Sequence, residues 1–377
     1  MRETTGRKIS VLIAITRLAV GGAPQSVLTS IAGLDAERYR IVLVSGHPGA
    51  DEGNLIAEAQ NLNVTLHLVP ALQRAPHPFR DLRALWHLWR LMRGEQIDIV
   101  HTHLSKAGIL GRLAAWLAGV PVIVHTFHGD VLEGYFSALK SWAFTMAERL
   151  VGRVTHRFVC VSEGLQKRLV GYKLGPSDAF CVISNGIVVD DFESVDREKK
   201  YRVGTLAMFY PVKRLDLFVQ MAHRLHACHP KVQYDIAGDG MEADALRRLS
   251  TSHGEPVNFL GICRDRSEFL KSLDVFVLCS DFEGAGMSLM EAMAAGVAVV
   301  ATRVGGVPEI VQDGETGVLI PPDNLDALCE AVRDLLGNDE QRHRLGNAAR
   351  QYAQAHFSHT NMVAELDVMY RDLVEHV

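Results

Sequence analysis

The segment from residue 274 to residue 310 constrains the fold of this chain more than any other stretch. Residues 274–278 form a short apolar run between polar residues, which is typical of a buried strand. From about Met287, apolar residues recur at helical spacing until Gly296 gives a stop signal, and residues 297–301 form a second apolar run. The order strand, helix, strand predicts a βαβ unit, and therefore a parallel sheet with a ligand crevice at the carboxyl ends of its strands.

Two carboxylates belong to this unit, Glu283 in the loop and Glu291 in the predicted helix. Their separation is a little over two helical turns, so both acids can face the crevice. Between them, the backbone amides of Gly286, Met287 and Ser288 would form a helix N-terminus, which suits a phosphate or a diphosphate. A glutamate can also accept two hydrogen bonds from a vicinal diol such as that of a ribose. The spacing alone leaves an alternative open, in which Glu283 caps the helix and Glu291 is a solvated helix residue.

The residues around these acids resemble the donor-site block of the retaining GT-B glycosyltransferases of the large family four. The resemblance rests on four ordered groups, namely Glu283-Gly284, EAMAAG at 291–296, GGVPE at 305–309 and DGETG at 313–317. In that family the first glutamate faces the donor sugar and the second binds the nucleotide ribose, so the resemblance implies these roles for Glu283 and Glu291. Ala285 departs from the family pattern, which often has an aromatic residue or Thr there, and this implies a different donor-sugar pocket.

Two segments of the first half match the same family. Residues 18–23 (LAVGGA) join a strand-like run to a helical pattern without the GxGxxG fingerprint, so a phosphate loop and a tight glycine turn both stay open. In the family this loop lies over the donor diphosphate, which implies that role for Gly21 and Gly22. His128 follows the apolar run 120–125. A lone histidine is usually structural, but the resemblance implies that His128 lies beside the donor sugar.

The second half carries the matching lysine. Lys213 corresponds to the family lysine that neutralises the donor diphosphate, where a cation stabilises the charge that builds on the leaving group. Family members often carry an arginine five or six residues earlier, whereas this chain has Ala207 and Met208. Whether the neighbouring Arg214 takes over that role stays open. Cys263 lies in a segment that resembles the loop whose backbone reads the nucleobase.

The length and composition describe a globular chain of two domains. A chain of 377 residues with 48% hydrophobic and 22% charged residues can bury two ordinary cores. We expect an α/β fold of GT-B type, with two doubly wound Rossmann-like domains facing a central cleft. The acceptor-side domain would comprise residues 1–190 and the nucleotide-sugar domain residues 191–357, and a terminal helix over 358–377 would cross back to the first domain.

Metal ions, disulfides and nucleic acid are not expected partners. The six cysteines form no Cys-x-x-Cys pair, which predicts reduced core residues and a cytoplasmic compartment. His101, His103 and His125 stand at separate strand ends without the spacing of metal ligands, and no Asp-x-Asp motif occurs, so a metal-independent enzyme is expected. No nucleic-acid motif is present.

Charge and aromatic residues leave a membrane contact open. Residues 1–190 carry 20 Lys/Arg against 15 Asp/Glu, so the first domain is basic and could face a membrane surface or a phosphorylated acceptor. A helix is predicted over residues 79–93, with an inward face formed by Leu82, Leu85, Trp86, Trp89 and Met92. Its neighbouring face carries Arg83, His87 and Arg90. An ordinary helix packed on the sheet is the favoured interpretation, and a membrane-surface helix is the alternative.

The resemblance implies one reaction, and residues 103–115 resemble the subset of the family that builds bacterial surface polysaccharides. We expect a retaining transfer of a sugar from a nucleoside diphosphate sugar, with UDP as the expected nucleotide, to a glycan or polyprenyl-diphosphate-linked hydroxyl. No cofactor is expected, and the leaving phosphate would take the acceptor proton while His128 and Glu283 hold the sugar. The enzyme would be cytoplasmic, with a peripheral place on the inner membrane face left open. A sugar-nucleotide epimerase of the same fold and a non-catalytic sugar-nucleotide binder are the alternatives.

Overall fold

The computed structural model describes residues 7–49, 52–130, 138–192, 201–252, 254 and 256–376. The chain divides into two compact units, Met1–Gly186 together with His359–Val377, and Ile187–Ser358. Each unit is built on a parallel sheet with helices, so the prediction of two Rossmann-like α/β domains is confirmed. The predicted polar linker, 188–201, falls largely outside the described residues.

The first unit contains a seven-stranded parallel sheet. Its strands are β1 (Ile9–Arg17), β2 (Tyr39–Gly46), β3 (Thr65–Leu68), β4 (Ile99–His103), β5 (Val122–Phe127), β6 (Arg157–Cys160) and β7 (Phe180–Val182). Their order in the sheet is β3-β2-β1-β4-β5-β6-β7. Because the order reverses between β1 and β4, the carboxyl ends of these two strands mark the position where such sheets bind ligands.

Six α-helices connect these strands in the part of the first unit that the structure describes. They are α1 (Gly22–Gly33), α2 (Ile56–Gln60), α3 (Pro78–Gly94), α4 (Ser105–Ala118), α5 (Ala138–Gly152) and α6 (Glu163–Gly171). The helical region predicted over 134–155 is α5 where the structure describes it, and residues 131–137 lie outside the described part. Alternate residues of β1 pack on opposite faces of the sheet, so Val11 and Ile13 join one apolar cluster and Leu12 and Ala14 another.

The second unit contains a six-stranded parallel sheet in the order β10-β9-β8-β11-β12-β13. Its strands are β8 (Arg202–Leu206), β9 (Gln233–Ala237), β10 (Val257–Gly261), β11 (Val275–Leu278), β12 (Ala298–Thr302) and β13 (Val318–Ile320). Its helices are α7 (Leu215–His226), α8 (Ala243–Thr251), α9 (Arg266–Lys271), α10 (Met287–Ala294), α11 (Val307–Ile310), α12 (Leu325–Gly337) and α13 (Asp339–His356). The predicted βαβ unit is therefore present as β11, α10 and β12, and β11 pairs with β12 in parallel.

The last helix, α14 (His359–Glu375), belongs to the first unit and packs against α1. It buries Leu366, Met369, Tyr370 and Leu373, which are four of the five residues predicted to face inward. The fifth, Val363, is partly buried and packs against the same cluster.

The predicted inward face of α3 is correct for Met92, which is buried, and for Leu85, which packs partly buried against the core, but it is wrong for Leu82 and the two tryptophans. The helix buries Ala84, Leu88 and Met92, whereas Trp86 is 48% and Trp89 36% exposed. The buried row and the row with the two tryptophans both recur at helical spacing. Helix α3 packs closely against α4, so only the row that begins with the small Ala84 fits between them. The large tryptophan side chains therefore point outward.

Two other expectations need correction. The strand predicted to end at Met208 ends at Leu206, because the chain turns there and the Tyr210 N–H donates to the Met208 carbonyl over 2.8 Å. All six cysteines are free, as expected, but they are not all core residues, since Cys228 is exposed and Cys263 is partly exposed. Among the helices that the structure describes, none is long and apolar enough to cross a bilayer.

Candidate active site

Two of the predicted catalytic residues lie together in the second unit. Glu283 follows β11, and its buried side chain receives two hydrogen bonds on Oε1. The Lys213 ammonium donates one from 2.6 Å and the Ser280 hydroxyl donates the other from 2.7 Å. Lys213 ends a short 3₁₀ turn after β8, the strand next to β11 in the sheet. Neighbouring strands therefore bring a cation and a carboxylate together at their carboxyl ends.

The glycines after β12 hold the loop of Glu283 in place. Gly305 has a φ of 50°, and a Cβ on this residue would lie 2.0 Å from the Glu283 carbonyl oxygen. Gly306 then donates its N–H to the same carbonyl over 3.0 Å. Only glycine at residue 305 allows this close approach of two backbone segments. The matched GGVPE group thus has a structural role in positioning Glu283.

Arg214 is not free to replace a missing diphosphate arginine. Its guanidinium lies within 3.1 Å of Asp216, 3.2 Å of Asp281 and 2.9 Å of Asp323. With three carboxylates around it, the guanidinium has few N–H groups left for a phosphate. These contacts favour a structural role for Arg214, in which it holds the three aspartates, over a role in binding the diphosphate.

Glu291 is buried in α10 and paired with an arginine. Its Oε2 accepts a hydrogen bond of 2.5 Å from Arg266 at the start of α9, and the side chain is 5% exposed. Burial raises the pKa of the Glu291 carboxyl, and the Arg266 guanidinium opposes that rise. The prediction missed Arg266, because no spacing links it to Glu291. The alternative of a solvated Glu291 is wrong.

Helix α10 begins at Met287, as its sequence predicts, and the binding of an anion at its amino end stays a prediction. Gly286 precedes the helix with a φ of 51°, and no side chain caps it, so the alternative of a capping Glu283 is also wrong. The amides of Met287 and Ser288 lie in the first turn, where a helix offers N–H groups without carbonyl partners of its own. Because α10 starts at Met287, Glu283 and Glu291 do not share one helix face.

Cys263 lies between β10 and α9, close to the pair of Glu291 and Arg266. Its thiol lies 3.2 Å from the Asp265 carbonyl oxygen, and burial raises the pKa of the Cys263 thiol. The side chain therefore stays protonated at neutral pH and acts neither as a nucleophile nor as a charged group.

The glycine loop of the first unit shows no steric need for Gly21. Its φ is 163°, which is extended backbone, and a Cβ there would meet only the Pro24 Cδ, at 4.0 Å. Gly22 begins α1. The structure therefore gives no reason for a tight turn that requires glycine at residue 21. The predicted approach of a diphosphate to this loop stays a prediction.

Histidines of β4 and β5 meet at the carboxyl ends of these strands. The ring centroids of His101 and His103 lie 4.3 Å apart, and those of His103 and His128 lie 5.3 Å apart. His103 Nδ1 lies 3.0 Å from His128 Nε2, so one ring donates to the other. His101 bridges the Tyr370 hydroxyl at 2.5 Å and the Thr126 hydroxyl at 2.6 Å. The expectation of separate strand ends is wrong for His101 and His103, whereas His125 lies apart from this cluster and bonds to Thr102.

The cluster is uncharged at neutral pH. Burial lowers the pKa of His128 to about 4 and that of His101 to about 3. His128 Nδ1 is buried without a hydrogen-bond partner among the described residues. Beside these rings lies a cavity of about 20 Å³, which is room for about one water molecule. A neutral His128 does not suit a cationic role, and its place beside the donor sugar stays a prediction. No group of three potential metal ligands occurs in the part of the chain that the structure describes.

Met208 lies beyond the carboxyl end of β8 and is only partly buried. This position contradicts the view that the side chain is strand core. We therefore expect Met208→Arg to raise the affinity for a nucleoside diphosphate and the turnover, because a guanidinium can bind two phosphate oxygens. Melting curves with and without UDP check this, and a larger shift with UDP than in the parent is the expected result. A variant that unfolds early and gains nothing from UDP contradicts it.

Two family models match this chain, one within each half of it. The model described as Glycosyl transferase 4-like domain matches residues 21–186. The model described as Glycosyl transferases group 1 matches residues 189–352.

Individual proteins show the same relationship. A phosphatidyl-myo-inositol mannosyltransferase of Mycobacterium tuberculosis is 34% identical over 275 residues, which cover 68% of this chain and 70% of that protein. A UDP-Gal:alpha-D-GlcNAc-diphosphoundecaprenol alpha-1,3-galactosyltransferase of Escherichia coli is 26% identical over 350 residues, or 88% of either chain. The crystal structure of Anabaena Alr3699/HepE in complex with UDP-glucose has the same fold, with a TM-score of 0.83 at 19% identity over 97% of this chain and 100% of that one. This chain belongs to the GT-B glycosyltransferases of the family-four type.

Proposed function

We propose that this enzyme transfers a sugar from a UDP-sugar to a hydroxyl of a lipid-linked or glycan acceptor, with retention of the anomeric configuration. The observation that carries the proposal is the hydrogen bond between Lys213 and Glu283 beside the amino end of α10. Cation, carboxylate and helix N-terminus are the groups that a diphosphate attached to a sugar requires. The names of the relatives support the substrates, since the E. coli enzyme uses UDP-Gal and a diphosphoundecaprenol acceptor, and the mycobacterial one acts on phosphatidyl-myo-inositol.

Lys213 can serve the sugar and the diphosphate at the same time. An ammonium has three N–H donors, and only one is needed for the bond to Glu283. The remaining donors can reach the diphosphate oxygens, whose negative charge grows as the bond to the sugar breaks. Glu283 keeps its second oxygen, Oε2, for the hydroxyls of the sugar. The Lys213–Glu283 pair thus couples the position of the sugar to that of its leaving group.

The same groups support a mechanism without a metal ion. The ammonium of Lys213 and the first-turn amides of α10 supply the positive charge that a divalent ion often supplies to a diphosphate. The departing phosphate accepts the proton of the acceptor hydroxyl, on the face from which it left. Attack on that face retains the configuration. The place of His128 beside the donor sugar, which the resemblance implies, is part of this proposal and fits a ring that is neutral at pH 7.

Radiolabelled UDP-sugars, incubated with the purified protein and a bacterial lipid extract, test the proposal. We expect label in the lipid fraction, a product with the anomeric configuration of the donor by NMR, and unchanged turnover in EDTA. Conversion of the free UDP-sugar into its epimer would identify an epimerase instead. Binding without any product would identify a sugar-nucleotide binder, and inversion or loss of activity in EDTA would overturn that part of the mechanism.

Replacement of Glu291 tests the assignment of the nucleotide site. Glu291→Gln loses a charge-assisted hydrogen bond to the ribose diol, which is worth about 1.5–3 kcal/mol. We expect calorimetry to show UDP affinity weakened by roughly tenfold to a hundredfold, with an exposed glutamate variant, Glu330→Gln, as the control. The parent should also lose affinity on acidification through the raised pKa of Glu291, and the Gln variant should not. Equal affinity of parent and Glu291→Gln excludes the ribose assignment.

A further inference from the structure

The tryptophans of this chain lie on the surface of one unit. The sequence contains four tryptophans, Trp86, Trp89, Trp116 and Trp142, and all four are exposed. Their exposed fractions are 48%, 36%, 56% and 61% in this order. A tryptophan is normally among the largest contributors to a core, so four exposed ones are costly in water unless another surface covers them.

These tryptophans belong to three helices that lie side by side, with α4 between α3 and α5. Trp86 and Trp89 are on α3, Trp116 is on α4, and Trp142 is on α5. Helix α4 packs against both α3 and α5. We call the exposed apolar residues of α3, α4 and α5 the aromatic face. Leucines extend it, since Leu117 on α4 is 49% exposed and the first and last turns of α5 expose further leucines.

Helix α3 has two apolar stripes with different partners. The stripe of Ala84, Leu88 and Met92 fills the core, as described above. The second stripe begins with Phe79 and Leu82, which are 76% and 64% exposed, and continues through the two tryptophans of α3. These positions follow at intervals of three and four residues, so they line one side of the helix. A helix that buries one face in the core and exposes a second apolar face is typical of a helix that lies in a membrane interface.

Among the residues that the structure describes, the exposed charges on these three helices are all positive. Those on α3, α4 and α5 are Arg80, Arg83, Arg90, Arg93 and Lys140. The acids of these helices are neutralised, because Asp81 is paired with Lys106 at 2.6 Å and the buried Glu148 with Arg112 at 2.5 Å. The Arg90 guanidinium lies 5.4 Å from the centre of the Trp86 ring, so cation and aromatic ring share one surface.

The cationic surface continues past the end of α5. A cavity of about 640 Å³ lies there, and its lining contains four cations, Arg149, Arg153, Arg157 and Lys173, with a single acid, Asp178. Such a concave basic surface next to exposed apolar residues matches the phosphate layer of a bilayer next to its acyl chains.

We infer that the aromatic face of the first unit inserts into the interface of an anionic phospholipid bilayer. Tryptophan rings favour the boundary between headgroups and acyl chains, and basic residues are attracted by anionic lipids. A second copy of the chain is a poorer occupant, because its own aromatic face would bring two sets of exposed cations together. The inference rests on the proposed function insofar as a lipid-linked acceptor lies in the same bilayer. The surface itself is independent of the reaction.

Sedimentation with vesicles tests this surface on the full chain. We expect the parent to bind vesicles rich in phosphatidylglycerol, to bind phosphatidylcholine vesicles weakly, and to shift its tryptophan emission to the blue on binding. The double variant Trp86→Ser/Trp89→Ser should bind at least about tenfold more weakly, with Val368→Ser, an exposed residue of α14, as the matched control. The charge variant Arg83→Ser/Arg93→Ser should lose the preference for anionic lipid. None of these residues belongs to the buried clusters of the first unit, so each variant should fold, and melting curves check this before binding is compared.

Several outcomes would overturn the inference. They are absence of binding by the parent, equal binding by parent and Trp86→Ser/Trp89→Ser, and concentration-dependent dimerisation of the parent that this variant abolishes. Transfer to a short-chain acceptor dissolved in water separates the two proposals. The tryptophan variant should keep parental turnover on that acceptor. A parent that binds vesicles but transfers no sugar would contradict the proposed function and leave the surface in place.

Discussion

Replacing Lys213 by alanine is expected to lower the turnover about 100-fold to 1000-fold, which corresponds to about 2.7–4 kcal/mol of transition-state stabilisation. The ammonium lies 2.6 Å from Glu283 at the carboxyl end of β8, where charge would build on the departing diphosphate. A group that acts mainly on the transition state affects kcat more than the binding of the UDP-sugar. Initial rates over a range of donor concentrations give both quantities.

Two further variants separate catalysis from packing. Lys231→Ala removes an exposed lysine just before β9 and should leave the rate unchanged. Lys213→Ala also leaves the buried Glu283 without its cation, so the double variant Lys213→Ala/Glu283→Gln is informative. If Lys213 only neutralised Glu283, Lys213→Ala would melt well below the parent and the double variant would regain the parental melting temperature, whereas we expect Lys213→Ala to stay folded with a low turnover. A Lys213→Ala protein that melts normally and keeps near-full turnover would make Lys213 an ordinary surface residue.

Local patterns were enough to predict the scaffold of the candidate site. The strands β11 and β12 are continuous apolar runs because both faces of a parallel strand are covered, and the helical spacing between them fixes α10. Sequence order then places the loop of Glu283 at the carboxyl end of β11. The positions of Glu283 and Lys213 followed from the topology of the sheet, so the sequence could place each of them at a strand end.

Long-range pairing lay beyond the sequence. The contacts of Lys213 with Glu283 and of Arg266 with Glu291 join different strand ends, and no local spacing encodes them. The choice between the two stripes of α3 failed for a related reason. Hydrophobicity favours burying Trp86, whereas the space left by α4 and the sheet favours Ala84. The space available between neighbouring elements decides which row of a helix is buried, and a single sequence does not give that space.

The bounds of β4 explain why the histidine cluster was missed. The apolar pattern predicts a strand over residues 97–101, whereas β4 runs from Ile99 to His103 and places His103 opposite Thr126. Residues two apart on a strand point to the same face of the sheet, so the rings of His101 and His103 lie side by side. His103 then reaches His128, which follows the end of β5.

This cluster is expected to make the first unit unstable in mild acid. The pKa of His101 is lowered to about 3, and burial also lowers the pKa of His103, His125 and His128. Between these values and the ordinary histidine pKa of about 6.5, the unfolded chain binds protons that the native cluster does not, so the free energy of unfolding falls as the pH falls. At pH 5 the loss from His101 alone is about 2 kcal/mol, and a typical domain has only about 5–15 kcal/mol in total.

Urea unfolding at a series of pH values measures this effect. All four tryptophans belong to the first unit, so their fluorescence reports on that unit alone. We expect the urea midpoint to drop steeply between about pH 6.5 and pH 4, and His101→Gln to reduce the slope by about one proton. His87→Gln, at an exposed position of α3, is the control and should keep the parental slope. Glu365 on α14 acts in the opposite direction, because burial raises its pKa, and it should flatten the curve at its acid end. A midpoint that stays constant from pH 7 to pH 5 would mean that the cluster takes up protons without unfolding, and its rings would then be charged, not neutral, beside the sugar site.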